Sequence, residues 1–181
     1  MLIVISGLPG TGKTAVAAKV ARDADAVHLS IDIVENALLG AGFPRSWMTG
    51  VAAYEAVRAA AEQNLDLNLG RIVVVDAVND SEPARDTWRR AAATAGVPLI
   101  FVLLALDDDV EHRRRLEGRS RNLTNVAEPS WEDVSSRRAS FEPWADVHLR
   151  VNASESIQHI ASVILSRLSA PPVSNTESDC G

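Results

Sequence analysis

Eight residues near the start of the chain, GLPGTGKT at positions 7–14, limit the folds open to it more than any other feature. They follow a short apolar run, residues 2–5, and precede KTAVAAKVARDA, a stretch rich in good helix formers. The pattern G-x-x-x-x-G-K-[ST] is thus satisfied in the strand, loop and helix context that it needs. Gly7, Gly10 and Gly12 allow a tight turn whose backbone amides point at phosphate oxygens, aided by the positive end of the helix behind them. Lys13 then reaches the terminal phosphates as a point charge, and the Thr14 hydroxyl is suited to ligate Mg²⁺. Leu8, Pro9, Thr11 and Ala15 complete the expected ATP-binding segment. A chance glycine turn is the competing reading, and the match on both flanks weighs against it. Lys19, six residues along the helix, reads as a solvated surface charge rather than a second phosphate ligand.

Strand and helix signals alternate through the rest of the chain. Strand candidates fall at 27–31, at RIVVVDA (71–77), at PLIFVLLA (98–105) and at VHLRV (147–151), and RIVVVDA has the continuous β-branched character of a buried parallel strand. Helices are expected over 33–39, 50–69 (closed by Gly70), 81–95 (closed by Gly96), 107–118, from a Ser130/Asp133 capping box onward, and over 154–168, with a turn at FPRSWM. Such alternation predicts an α/β fold of three layers, a parallel sheet covered by helices on both faces. One domain over 1–168 is expected, followed by a tail, 169–181, too poor in apolar residues to pack and expected to be disordered.

Composition narrows the function classes. With 46% hydrophobic and 23% charged residues the chain sits near globular averages, and no apolar run is long enough to span a bilayer. The lone cysteine, Cys180, offers neither a disulfide framework nor a metal-ligand pair, so a reducing, cytoplasmic location is the expectation. A formal net charge of −6 counts against a polyanion such as nucleic acid as the main partner. Sixteen of the eighteen basic residues are arginine, and many fall in HRRRLEGRSRN, residues 112–122.

Two carboxylates stand out after the first helix. Asp32, where the second strand gives way to a helix, suits a general base, and with Glu35 three positions later it equally suits a capping box. Asp76 ends the third strand and reads either as a carboxylate holding Mg²⁺ or its water, or as a cap. No N-K-x-D guanine-reading motif is present, and the chain is too short for the extra helical domain of an oligomeric AAA-type ATPase.

The phosphate loop, the acid after the second strand, VVVDAVNDSEPARDTWRRAA, RLEGRSR and FEPW together resemble the small P-loop kinases of the polynucleotide kinase and chloramphenicol phosphotransferase type, an AAA-type ATP-binding group. The resemblance covers about residues 1–168. It implies a nucleoside-monophosphate-kinase-like fold with five parallel strands ordered 2-3-1-4-5, and transfer of the γ-phosphate of ATP to a hydroxyl. It also implies a short arginine lid over about 115–129, with Arg115, Arg119 and Arg121 matching the lid segment. Arg119 and Arg115 are the candidate transition-state arginines, since guanidinium groups closing over a drier site stabilise the equatorial charge. Arg113 and Arg114 read as a solvated helix end. Asn79 and Arg85 fall where polynucleotide kinases have the same residue types, although Arg85 also suits a helix surface; Arg137 and Arg138 precede FEPW, where one of them suits a place beside adenine or phosphate and a surface ion pair is the better fit.

In this fold the segment after the second strand, about 32–70, forms the acceptor wall. It carries Phe43, Arg45, Trp47, Met48 and Tyr54, of which Trp47 is the better ligand candidate and Tyr54 equally suits the core. Polynucleotide kinases have an arginine three residues after the strand-end aspartate, whereas this chain has Glu35. An acid there repels a phosphorylated acceptor and suits a neutral or amine-bearing small molecule such as an antibiotic, sugar or nucleoside. A kinase of nucleic acid 5′-hydroxyl ends and a non-catalytic nucleotide-dependent switch remain the alternatives.

Overall fold

Leu2–Ser6 (β1) is buried along its whole length, and its alternating side chains seed two separate cores. Ile3 and Ile5 face one way, where they meet Val16 and Val20 of α1 (Lys13–Asp23) and Ile160 and Ile164 of α7 (Ile157–Leu168). Leu2 and Val4 face the other way, onto α3 (Trp47–Asp66) and α4 (Glu82–Ala95). The computed structural model describes residues 1–66, 71–119, 121 and 123–168. The expected helix end at Gly70 and the tail from 169 onward lie outside the described residues, as do residues 120 and 122 of the expected lid segment.

Five strands build one parallel sheet in the order β2-β3-β1-β4-β5, as the resemblance implied. The remaining strands are Val27–Ser30 (β2), Val73–Ala77 (β3), Leu99–Ala105 (β4) and His148–Asn152 (β5). Helix α3 buries Thr49, Ala53, Val57, Ala61 and Leu65, one residue every four, so a single stripe packs on the sheet. Trp88 of α4 is fully buried beside it, and burial of a side chain of this size contributes roughly 1.5–3 kcal/mol. Among the described residues no helix is long and apolar enough to cross a membrane.

Several expected boundaries shift. Helix α3 begins at Trp47, inside the expected turn. The helix after β2, α2 (Ile31–Gly40), starts two residues earlier than its periodicity suggested, with Ser30 as its N-cap. Asp32 therefore lies within the first helical turn and does not cap it, and the Asp32/Glu35 capping box is not formed. The Ser130/Asp133 box does form, at the start of α6 (Trp131–Ala139). In α5 (Asp109–Glu117) the cap is Asp108, whose side chain accepts from the backbone of Val110 and Glu111. Gly96 ends α4 in a left-handed conformation, as expected.

Candidate active site at the phosphate loop

The loop joining β1 to α1 lies at the carboxyl edge of the sheet, where open α/β sheets bind ligands. Its glycines answer to space and to backbone conformation. At Gly7, with φ +152°, a Cβ would lie 2.8 Å from the Leu104 carbonyl oxygen. At Gly10, with φ +92°, it would lie 3.0 Å from the His112 ring. Lys13 opens α1 and is only 5% exposed. Burial lowers its pKa, and the carboxylates of Asp32 and Asp76 act in the opposite sense, holding a positive charge at the mouth of the loop.

Thr14 follows, and its hydroxyl donates to Asp76 Oδ1 at 2.9 Å. Asp76, next to last in β3, is 1% exposed. Ser30 Oγ also donates to Oδ1, at 3.3 Å, and His28 Nε2 lies 2.7 Å from Oδ2. A hydroxyl and an oriented carboxylate side by side suit a hard divalent cation that takes its other ligands from water and phosphate oxygens. Among the described residues no group of three His, Cys, Asp or Glu side chains would hold an ion unaided.

The segment expected to form the lid lies between α5 and α6. Arg119 and Arg121 both grip Glu128, at 2.6 and 2.8 Å, and Arg121 reaches across to ion-pair with Asp32. Burial lowers the Arg119 pKa, with the neighbouring Arg121 charge adding to the effect. Asn125 ties the lid to α2 through the side chain of Asn36, at 2.8 Å, and its carbonyl accepts from Arg45 at 2.7 Å. Arg115 is not brought to this site. It bonds Glu111 at 2.6 Å and the Ala153 carbonyl at 2.7 Å, and with Arg114 it holds the Glu111 carboxyl down to about 2. The Ala153 carbonyl draws Arg115 to the loop after β5, while Arg119, beyond the end of the helix, reaches Glu128 instead.

Two cavities meet here. One, of about 300 Å³, is lined by Pro9, Lys13, Asp32, Arg45, Arg119 and Arg121 among others. The second, of about 510 Å³, extends along α3 and α4 past Trp47, Tyr54, Glu55, Asp80 and Arg90. Asp32, Glu35, Val78 and Arg137 border both. Trp47 stands 78% exposed on the rim, and Phe43 and Met48 are exposed as well, so the expected apolar cup is open on that side. Tyr54 lines the second cavity with its hydroxyl accepting from the Asn79 backbone N–H at 3.4 Å, and burial pushes its phenol pKa up.

Asn79 itself lines neither cavity. It is fully buried at φ +56°, donates to Ser6 Oγ at 2.8 Å and accepts from Trp88 Nε1 at 2.8 Å, bracing the end of β1 against α3 and α4. Arg85, read as suiting a helix surface, is 1% exposed and donates to the carbonyls of Asn79, Glu142 and Pro143, with its guanidinium 5.0 Å from the centre of the Trp144 ring. An arginine enters a core when carbonyls supply its acceptors, and two of these three come from a loop far away in the chain. Arg113 and Arg114 are solvated in local ion pairs, as expected. Arg137 pairs with Asp80 at 3.3 Å while also walling both cavities.

Arg137, one of the two arginines read as able to lie beside nucleotide, walls both cavities, whereas sequence reasoning missed His28 behind Asp76 and His112 behind the loop. Only the proximity of His112 to the arginine cluster hinted at a place for it.

A family model described as an AAA domain matches residues 2–143. The chain belongs to the AAA domain family. This AAA domain is 28% identical over 166 residues to the adenylate kinase isoenzyme 6 homolog of Schizosaccharomyces pombe, over 88% of this chain and 85% of that protein. Among solved structures, the Mycobacterium tuberculosis APS kinase in complex with AMPPNP and APS matches with a TM-score of 0.70 and 20% identity, over 93% of this chain and 97% of that one. A gluconokinase from Sinorhizobium meliloti 1021 matches with a TM-score of 0.62 and 21% identity, over 92% and 91% of the two chains. Both structures share the fold of this chain. The likeness is to small P-loop kinases at large, not to the polynucleotide kinase and chloramphenicol phosphotransferase type in particular.

Proposed function

We propose that the protein is an ATP-dependent phosphotransferase that moves the γ-phosphate of ATP to a hydroxyl of a small molecule. The observation that carries this reading is the position of Asp32 on the wall common to both cavities, with Lys13, Arg119 and Arg121 on one side and Trp47 and Tyr54 on the other. Residues 1–168 act as one kinase domain, with 32–70 as acceptor wall and 115–129 as lid. ATP lies with its phosphates against Gly7 to Ala15, and Thr14 and Asp76 hold Mg²⁺, which neutralises phosphate charge when bound. Asp32 takes the proton of the acceptor hydroxyl as that oxygen attacks the γ-phosphorus and the bond to the β,γ-bridging oxygen breaks, leaving ADP. Lys13, Arg119 and Arg121 stabilise the charge on the transferring group. Arg121 holds Asp32 before nucleotide arrives. Phosphate oxygens compete for that guanidinium and release the carboxylate for its role as base.

The second cavity favours a neutral or amine-bearing acceptor. Its arginines already have partners: Arg90 meets Glu55 at 3.0 Å and Arg137 meets Asp80 at 3.3 Å, which leaves the Glu35 carboxylate to set the sign. The gluconokinase and APS kinase of like fold act on small molecules, and the net charge of −6 disfavours nucleic acid. ADP release from ATP and Mg²⁺ should be measured across a panel of hydroxylated antibiotics, sugars and nucleosides, with products identified by mass spectrometry. Acceleration by a neutral or cationic alcohol is expected. Faster phosphorylation of 5′-hydroxyl oligonucleotides overturns the acceptor assignment, and hydrolysis that no acceptor accelerates points to a nucleotide switch.

A further inference from the structure

His112 borders neither cavity and takes no part in the chemistry just described, yet it is 0% exposed and bonded on both sides of its ring. Its Nε2 lies 2.7 Å from the carbonyl oxygen of Pro9, in the phosphate loop, and its Nδ1 lies 2.7 Å from Arg138 Nη2, on α6. A carbonyl only accepts and a guanidinium only donates, so these partners allow one state of the ring: neutral, with its proton on Nε2. The edge of Trp131 closes a third side, with ring centres 5.5 Å apart at 83°. Arg138 is held in turn by an ion pair with Asp109 and by the face of Trp131, 5.6 Å away. The same imidazole packs so closely on Gly10 that a Cβ there would meet it at 3.0 and 3.1 Å.

A loop that binds phosphate through its amides must find other partners for its carbonyls, because a carbonyl oxygen facing a phosphate oxygen is repulsive. His112 supplies that partner to Pro9. We propose that His112 is a positioning residue for nucleotide, setting the Pro9–Gly10 turn of the phosphate loop and coupling it, through Arg138, to the two helices that carry the lid. The proposal rests on the phosphate-loop reading of residues 7–15 and is independent of the acceptor. It assigns Arg138, read from sequence as a surface ion pair, a second function: its charged head orders the imidazole that orders the loop.

The test is calorimetric titration of the purified protein with ADP and Mg²⁺, with a thermal melt of each variant alongside. His112→Phe keeps the ring volume and loses both polar contacts; its Kd for ADP is expected to rise about tenfold, the loss of roughly one well-made buried hydrogen bond. In His112→Gln an amide N–H replaces Nε2–H toward Pro9, and the Kd should return to within about threefold of wild type. Arg138→Met, at a side chain 36% exposed, should fold whatever the fate of the His112 variants, and should raise the Kd about threefold. In the His112→Phe background the same change should add nothing, because both act through one contact. Equal losses of melting temperature in the Phe and Gln variants with an unchanged Kd overturn the proposal, as does an unchanged Kd in Arg138→Met. Wild-type protein that binds no ADP overturns the phosphate-loop reading and this inference together.

Discussion

Asp32→Asn separates two roles that the structure gives to one carboxylate. The substitution keeps the shape and leaves an amide oxygen to accept from Arg121, but removes the charge and the capacity to take a proton. The ion pair with Arg121 joins side chains that are 24% and 19% exposed, so its loss is worth about 1 kcal/mol or less, a factor of about five in rate. A general base contributes about 10²- to 10⁴-fold, or roughly 2.7–5.5 kcal/mol of barrier. The two contributions differ enough to be told apart. The assay is phosphorylated product formed per unit time at saturating ATP, with the best acceptor from the panel, followed by mass spectrometry. A loss of at least 100-fold in Asp32→Asn is expected, well beyond the factor of about five that the ion pair accounts for. If Asp32→Asn loses less than about tenfold, the carboxylate serves only to pair with Arg121 and the base assignment is wrong.

Three further outcomes follow from the geometry. Lys13→Met removes a buried ammonium that is 5% exposed, so urea unfolding should show equal or greater stability while ATP turnover drops by about 10²- to 10³-fold. Asn79→Ala leaves the buried Trp88 N–H without its acceptor and places alanine at φ +56°; a loss of about 3 kcal/mol is expected, seen as a fall of roughly 6–12 °C in Tm by scanning fluorimetry. Burial lowers the pKa of His112, which faces Arg138, Asp109 and Arg115 as well as the Pro9 carbonyl. The unfolded chain therefore binds a proton below about pH 6.5 that the folded one refuses, and stability falls as pH drops from there toward the folded-state value. Urea midpoints between about pH 7.5 and 5 should show this slope in wild type and a shallower one in His112→Gln, whose amide does not titrate.

Much of the fold was legible along the chain because its determinants are local. The β-branched run of β3, the glycine that ends α4 and the capping box at Ser130 act over a few residues, and parallel strands joined by helices admit few topologies. The phosphate loop was legible for the same reason: its glycines, Lys13 and Thr14 lie within eight positions, and Thr14 meets the expected Asp76 across the sheet. Placements that depend on long-range contacts were not. Whether an arginine is solvated, buried or in a lid depends on acceptors that another segment supplies. Arg85 finds carbonyls 57 and 58 positions away, Arg121 finds Asp32 at 89, and Arg115, only four residues before Arg119, is drawn off by Ala153. Asn79 looked like a ligand residue and became a brace because the tertiary structure brings Ser6 and Trp88 to its amide. The sequence by itself determined that strands and helices alternate around a phosphate loop. Only the tertiary structure decided which charges face the two cavities, because hydrogen-bond partners are chosen in space and the chain does not record their distance.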